Sequence, residues 1–503
     1  MDSNDQKLSR RGLLKSALMQ GAVVALGSRA RPLGAQQMAR TWVFIGCYTA
    51  RGLGIYTYEM NPTTGTLTFV RVTGTPQTLA NPSFLALDPH GRYLFCGNEI
   101  GNYEGRQSGS VTAFSIDSAT GELTEINRQP TEGRNPAHVT VDPTGRFVFA
   151  ANYSGTTTNT NHVAVIPIEA GGRLGTPTHI VTHTGTLGPN TGRQEAPHAH
   201  QVMVDPAGRW ITANDLGLDR TFIYFLDRNE GRLIANDNAI PAPAGGGPRH
   251  LAFHPGGRWM YVLRELNSTL GAYNWDPERG AGTLINSLST LPSWYVGINT
   301  TAQVVVSPDG RFVYASNRGH DSIAVFSIDQ STGGITYLGE HWTFGETPRN
   351  FNIDPSGTFM YVAHQNTDNI VTYRVNKSTG RLEFTEQVIT LGQPVCIVFH
   401  TPPAAGNSVQ PGVTFTALQN PALPGPDGST AVTLAWNAPS ATELEIRVGA
   451  PDGNNMGRHG SWGTTETGPW VVDGMTFYLQ DVSGGKPLTS ANTLGTVRIA
   501  LRK

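Results

Sequence analysis

The chain is predicted to be all-β, a seven-bladed β-propeller followed by a small immunoglobulin-like β-sandwich. Three observations predict this. A turn phrase recurs at a nearly regular interval, each copy sits in a four-strand unit, and the N-terminal unit lacks a first strand that reappears far downstream. The phrase is an apolar strand, then Asp-Pro-x-Gly-Arg, then a second apolar strand. Asp88-Pro89-His90-Gly91-Arg92, Asp142-Pro143-Thr144-Gly145-Arg146 and Asp205-Pro206-Ala207-Gly208-Arg209 are the cleanest copies. Looser copies open at His254, Ser307 and Asp354, so the six starts fall 47 to 63 residues apart. Proline presets φ at the second turn position, and glycine accepts a positive φ two residues later.

Each unit continues in order. After the turn comes a second strand, rich in β-branched and aromatic residues, as in RYLFCG and RFVYAS. A loop holding Asn or a charged residue leads to a third strand (VTAFSID, FIYFLD, IAVFSID, IVTYRVN). A Thr-Gly or Glu-Gly turn then opens a fourth (GELTEI, GRLIAN, GRLEFT). The N-terminus supplies only three strands, WVFIGCYT, GIYTYEMN and GTLTFVRV, and the missing one is PVCIVFH, Pro394–His400. One blade is thus expected to be shared by both ends of the propeller over residues 41–401. That closes the ring and leaves no open sheet edge.

Bulk properties narrow the function. The chain has 503 residues, enough for more than one domain, with charged residues at only 15% and 59 glycines. That composition suits a turn-dense β protein and argues against a coiled coil or a disordered chain. Net charge is −2, so no global field draws in nucleic acid or membrane, and a nucleic-acid partner is excluded. Cys47, Cys96 and Cys396 show no metal-ligand spacing. Cys47 and Cys396 fall on neighbouring strands of the shared blade, so a disulfide is conceivable; buried small hydrophobes are the simpler reading.

The ends carry different signals. Residues 1–35 read as a twin-arginine-type signal peptide: Ser9-Arg10-Arg11-Gly12-Leu13-Leu14-Lys15 precedes the apolar SALMQGAVVALG and small residues near Ala30 and Ala35. Its apolar stretch is too short for a stable membrane span, so export to the periplasm or medium is expected. Residues 402–412 read as a Pro/Gly-rich linker. Residues 413–503 alternate as strands without the phrase and contain Trp436, expected to be buried in a sandwich core. Trp462 and Trp470 suit core packing better than sugar stacking.

Propeller geometry says which loops meet. Loops entering first strands and loops joining second to third strands open on one face, around the channel. His200, Arg249 and Arg349 each stand five positions before the residue that opens the turn, in one shared register, whereas Ser83, Ala302 and Val395 occupy it in other blades. After the second strands stand Asn214-Asp215, Arg264-Glu265, Asn317-Arg318 and His364-Gln365. One mouth is therefore expected to gather His200, Asp215, Arg249, Glu265, Arg318 and Arg349, with His198 adjoining. Such charges often only pair across solvated loops; their concentration on consecutive blades argues for a site.

These residues resemble the lactonase family of seven-bladed propellers, which includes bacterial 6-phosphogluconolactonases and fungal carboxymuconate-lactonising enzymes. The marks are PHAH, GPRH, RELN, SNRGHDSIAVF and TPRNFNIDPSG, spread between Thr41 and His400. The resemblance implies a site of one His, two Arg and one Glu, here His200 (or His198), Arg249, Glu265 and Arg318, with no essential metal and no cofactor. It implies hydrolysis of a sugar lactone or related cyclic ester, with a small anionic or sugar-derived lactone as partner. Water must be activated by a base, for which Glu265 and His200 both remain open, while arginines polarise the carbonyl and hold an anionic group. His198, Asp215 and Arg349 are expected to bind substrate. Phosphogluconolactone is a cytoplasmic intermediate, so an exported chain points instead to a non-phosphorylated lactone. A non-catalytic propeller binding a protein or polysaccharide and a muconate-type cycloisomerase are the alternatives. A quinone-dependent dehydrogenase lacks its tryptophan repeats and Cys-x-x-Cys-His here, and no carboxylate cage for calcium is visible. Oligomeric state is not set by the sequence.

Overall fold

The computed structural model describes residues 40–154, 160–401 and 407–502. The export signal expected over residues 1–35 lies outside the described residues. Seven four-stranded antiparallel sheets follow one another along the chain. Blade 1 takes its inner strand, Pro394–His400, from the end of the propeller and its other three, Thr41–Cys47, Ile55–Met60 and Leu67–Thr73, from the start. The two ends pair antiparallel, from Trp42 opposite His400 to Cys47 opposite Pro394. Val43 and Ile45 then pack on Phe359, Tyr361 and Ala363 of blade 7, so the closure is buried like any other blade contact. The three cysteines are free and buried.

The repeated turn has the same hydrogen bonds wherever it occurs. In the copies at Asp88, Asp142, Asp205, His254, Ser307 and Asp354, the first residue's carbonyl accepts from the glycine three residues on. Its own N–H reaches the carbonyl five residues on, opening the second strand. The glycines have φ between 64° and 73°, which a side chain would strain. In three copies the aspartate does more: Asp88, Asp205 and Asp354 accept from the two backbone N–H groups that start the next strand, at 2.5 to 2.8 Å.

Aromatic side chains tie neighbouring blades by hydrogen bonds at five of the seven interfaces. Tyr261, Tyr314 and Tyr361 donate to the carbonyls of Gly333, Gly380 and Gly65, the last across the closure. Trp42 and Trp210 do the same to Ser118 and Pro277.

After the propeller, two sheets form the C-terminal sandwich. One is five-stranded (Ser408–Val409, Thr493–Arg498, Thr476–Asp481, Leu444–Val448, Asn454–His459) and one three-stranded (Thr414–Ala417, Thr433–Asn437, Trp462–Glu466). Ser408–Val409 pairs with Thr496 and Gly495, so part of the expected 402–412 linker is an edge strand, with Val409 packed on the sandwich core. Trp436 is buried in this core with Phe415, Leu434 and Phe477. Trp462 lies instead under the Arg146 guanidinium, 4.6 Å from its ring centre, and Trp470 is half-exposed.

The sandwich docks on the propeller turns. Thr414 donates to the Thr144 carbonyl at 2.6 Å, Gln419 to that of Pro206 at 3.1 Å, and the Phe415 N–H to His90 Nε2 at 2.7 Å. It therefore covers the face opposite the loops that enter the first strands. An axial cavity of about 550 Å³ runs between the inner strands and is bounded on this side by Leu418–Pro421 and Arg502.

Beneath one turn, Arg228 reaches buried Asp142 with Nε at 3.1 Å and Nη2 at 2.6 Å. Replacing the cation alone strands a buried carboxylate. Arg228→Met is therefore expected to cost about 3–5 kcal/mol of stability in urea unfolding at neutral pH.

Candidate active site

Two concentric rings of side chains form the mouth. The inner ring is the position five residues before each turn: Ser83, Ala137, His200, Arg249, Ala302 and Arg349, completed by Val395 on the shared blade. The outer ring is the position seven residues after the last residue of each turn phrase: Glu99, Tyr153, Leu216, Glu265, Arg318 and Gln365, with Tyr48 as the blade 1 counterpart. Identical turns enforce identical registers, so each ring meets at one height. Between the rings lies a small recess of about 10 Å³, lined by Ser83, Glu99, His200, Arg249 and Arg349 among others. That is room for about one water.

Glu265 is the hub. Its carboxylate is almost fully buried and contacts Arg193 Nη2 at 2.5 Å, Arg249 Nε at 2.9 Å and Arg318 Nη2 at 3.0 Å. Burial alone pushes a carboxylate up, but Arg318, Arg249 and Arg193 override it and hold Glu265 at about 2. Backbone carbonyls fix the arginines from the other side: Arg249 Nη1 donates to Ala302, and Arg318 Nη2 to Thr301 at 2.8 Å. Burial, then Arg318 and Arg349, press the Arg249 guanidinium below its usual range, and Glu265 opposes them. Arg193 also donates to the Tyr153 hydroxyl at 3.2 Å.

Arg349 begins a second chain. Its Nη2 donates to the Tyr48 hydroxyl at 2.7 Å, and Tyr48 donates to Glu99 Oε2 at 2.7 Å. His200 is buried between Tyr153 and His250, with ring centres 5.4 and 5.0 Å away. No group accepts or donates at its Nδ1 among the described residues.

The sequence-derived set thus divides. His200, Arg249, Glu265, Arg318 and Arg349 come together. His198 stands beside them, stacked on Tyr153 at 4.6 Å, with Nδ1 on the Tyr153 carbonyl and Nε2 on Glu195. Asp215 does not face the recess. It is fully buried, taking the N–H groups of His198 and Leu218 on Oδ1 and His183 Nδ1 on Oδ2, so it anchors the loops and presents no free oxygen to a ligand. Neither expected base has an ordinary basicity. Glu265 is held down by its arginines, and burial followed by Arg249, His250 and Arg349 pushes His200 well below the usual imidazole range. Arg193, Tyr48, Glu99 and Tyr153 were missed. Arg193 sits in the irregular loop before blade 4, inside the longest interval between turns; the other three lie in the outer-ring register and were findable there.

The fold and this constellation define a family. Residues 42–399 match the model of the lactonase family of seven-bladed β-propellers, and the chain belongs to that family. Among its relatives, 6-phosphogluconolactonase of Bacillus subtilis is 36% identical over 312 residues, covering 62% of this chain and 84% of the relative. A protein of the same name from Formosa agariphila is 33% identical over 324 residues, covering 62% and 86%. The solved structure of the periplasmic gluconolactonase of Pseudomonas aeruginosa superposes with a TM-score of 0.67 at 30% identity, covering 73% of this chain and all of that one.

The hub makes an acid-stability prediction. A carboxylate held below its ordinary value of 4.5 contributes stability that is complete above that pH and lost as pH falls toward about 2. The Tm difference between the unaltered protein and Glu265→Gln is expected to shrink steadily from pH 4.5 to 2. A gap independent of pH over that range would show that Glu265 is not ionised in its arginine cage.

Proposed function

We propose that the chain is an exported hydrolase that opens a non-phosphorylated sugar lactone or a related cyclic ester by adding water. The observation that carries this reading is the surplus of positive charge in an enclosed mouth. Four guanidiniums, Arg193, Arg249, Arg318 and Arg349, surround two carboxylates, Glu265 and Glu99. An anionic or strongly dipolar ligand completes that balance, and a lactone carbonyl becomes anionic as water attacks it. Preorganised donors aimed at such an oxyanion need no reorganisation when charge develops. Arg249 and Arg318 are the donors for that oxygen, held at fixed spacing by Glu265. Arg349 is placed to bind a hydroxyl or carboxylate elsewhere on the substrate, and neutral His200 to hydrogen-bond the ring. Membership of the lactonase family supports the reaction class. The N-terminal Arg10-Arg11 pattern and the periplasmic relative support export and, with it, a substrate other than the phosphorylated intermediate.

One observation favours a second reading. The loop entering blade 6, on the same face, leaves Trp294, Val296 and Ile298 exposed at 63%, 97% and 93%. Aromatic and aliphatic anchors of this kind suit a protein or polysaccharide partner held at the rim.

A pH-stat panel of phosphorylated and non-phosphorylated lactones separates these readings. Acid release with a non-phosphorylated lactone is expected, and Arg249→Gln should lower kcat/KM by at least about 10²-fold. Absence of acid release above the spontaneous rate on every lactone would falsify the hydrolase and leave the binding role.

A further inference from the structure

The groups that match the family pattern lack a good base for water. Glu265 spends its carboxylate on three guanidiniums, and His200 is buried among arginines. Glu99 has no direct ion pair among the described residues and is only partly buried. It lines the recess with His200, Arg249 and Arg349, and is the first residue after the second strand of blade 2, the position Glu265 holds in blade 5. Its Oε2 accepts one hydrogen bond, from the neutral Tyr48 phenol, while Oε1 has no hydrogen-bond partner among the described residues. No guanidinium pairs with it directly among those residues; Arg349 reaches it through Tyr48.

We propose that Glu99 is the general base of ring opening and that Tyr48 is the residue that orients it. This rests on the lactone-hydrolase reading above. Glu99 Oε1 takes a proton from a water in the recess as the water oxygen bonds to the lactone carbonyl carbon, whose oxygen becomes an oxyanion against Arg249 and Arg318. The intermediate collapses, the bond from that carbon to the ring oxygen breaks, and the leaving oxygen takes the proton back from Glu99. One water is consumed, one hydroxy acid forms, and Glu99 ends as it began. Among the described residues, the charged and titratable groups near Glu99 are Tyr48 and Arg349 in its hydrogen-bond chain, Arg249, His200 and His250 across the recess, and Arg134 against Gly101. The Arg349–Tyr48 link places positive charge at one remove from the carboxylate, with a phenol between them.

The test uses the full chain and the non-phosphorylated lactone it turns over fastest. Glu99→Gln keeps an oxygen for Tyr48 to donate to, so the loop is retained. Its kcat should fall by about 10²–10⁴-fold with KM nearly unchanged. Added formate should restore part of the kcat of Glu99→Ala, a response that loss of a purely structural group does not give. Tyr48→Phe should lower kcat by about tenfold or more with the pH profile displaced. A Glu99→Gln protein that keeps kcat within about threefold, or loses only KM, overturns Glu99 as base while Arg249→Gln inactivity leaves the hydrolase standing. Failure of the unaltered protein to open any lactone overturns both.

Discussion

The rest of the molecule depends on the hydrogen-bonded turn between the first and second strands of six of the seven blades. One local pattern, in which a carbonyl is capped by a glycine N–H and an aspartate often caps two more N–H groups, sets how far the second strand slides against the first. A slip of one residue would turn every side chain to the opposite face. Because the same slide is repeated around the ring, residues from distant parts of the chain arrive at one height over the channel. The mouth is thus a product of register more than of any long-range contact.

That placement explains how four arginines are tolerated in so small a volume. Isolated cations cannot be buried at reasonable cost, and here each meets a carboxylate, a carbonyl or a phenol. Glu265 serves three of them at once, which makes it the strut of the mouth. The division between one carboxylate that holds arginines and another that meets only a phenol follows from where the arginines lie: Arg249 is on the inner strand of blade 5 and Arg318 on the next blade, whereas blade 2 has Ser83 at the corresponding inner position.

Much of this was legible in the sequence, for physical reasons. The turn phrase is local chemistry, so the blade number and the shared blade could be counted. His200, Arg249 and Arg349 follow from a constant offset to the turn, and Glu265 and Arg318 from the end of the second strand. Tyr48 and Glu99 sit at that same second offset, but in blades with no charged inner residue, where the eye has no reason to look. Arg193 is on an irregular loop whose path no offset describes. Asp215 shares the right neighbourhood, yet periodicity cannot say that its oxygens turn toward His183 and two backbone amides. The edge strand at Ser408–Val409 hides in a polar, Pro/Gly-rich seam because a two-residue strand has no period to detect.

The closing strand has a consequence for how the protein is made. Thr41–Cys47 leaves the ribosome early, but the segment that covers its inner edge, Pro394–His400, is synthesised last in the propeller. Until that segment is made, the nascent propeller therefore carries an unsealed ribbon edge, open to pairing with foreign strands. The ring is less a series of independently finished blades than a clasp that closes once, when its last strand is made.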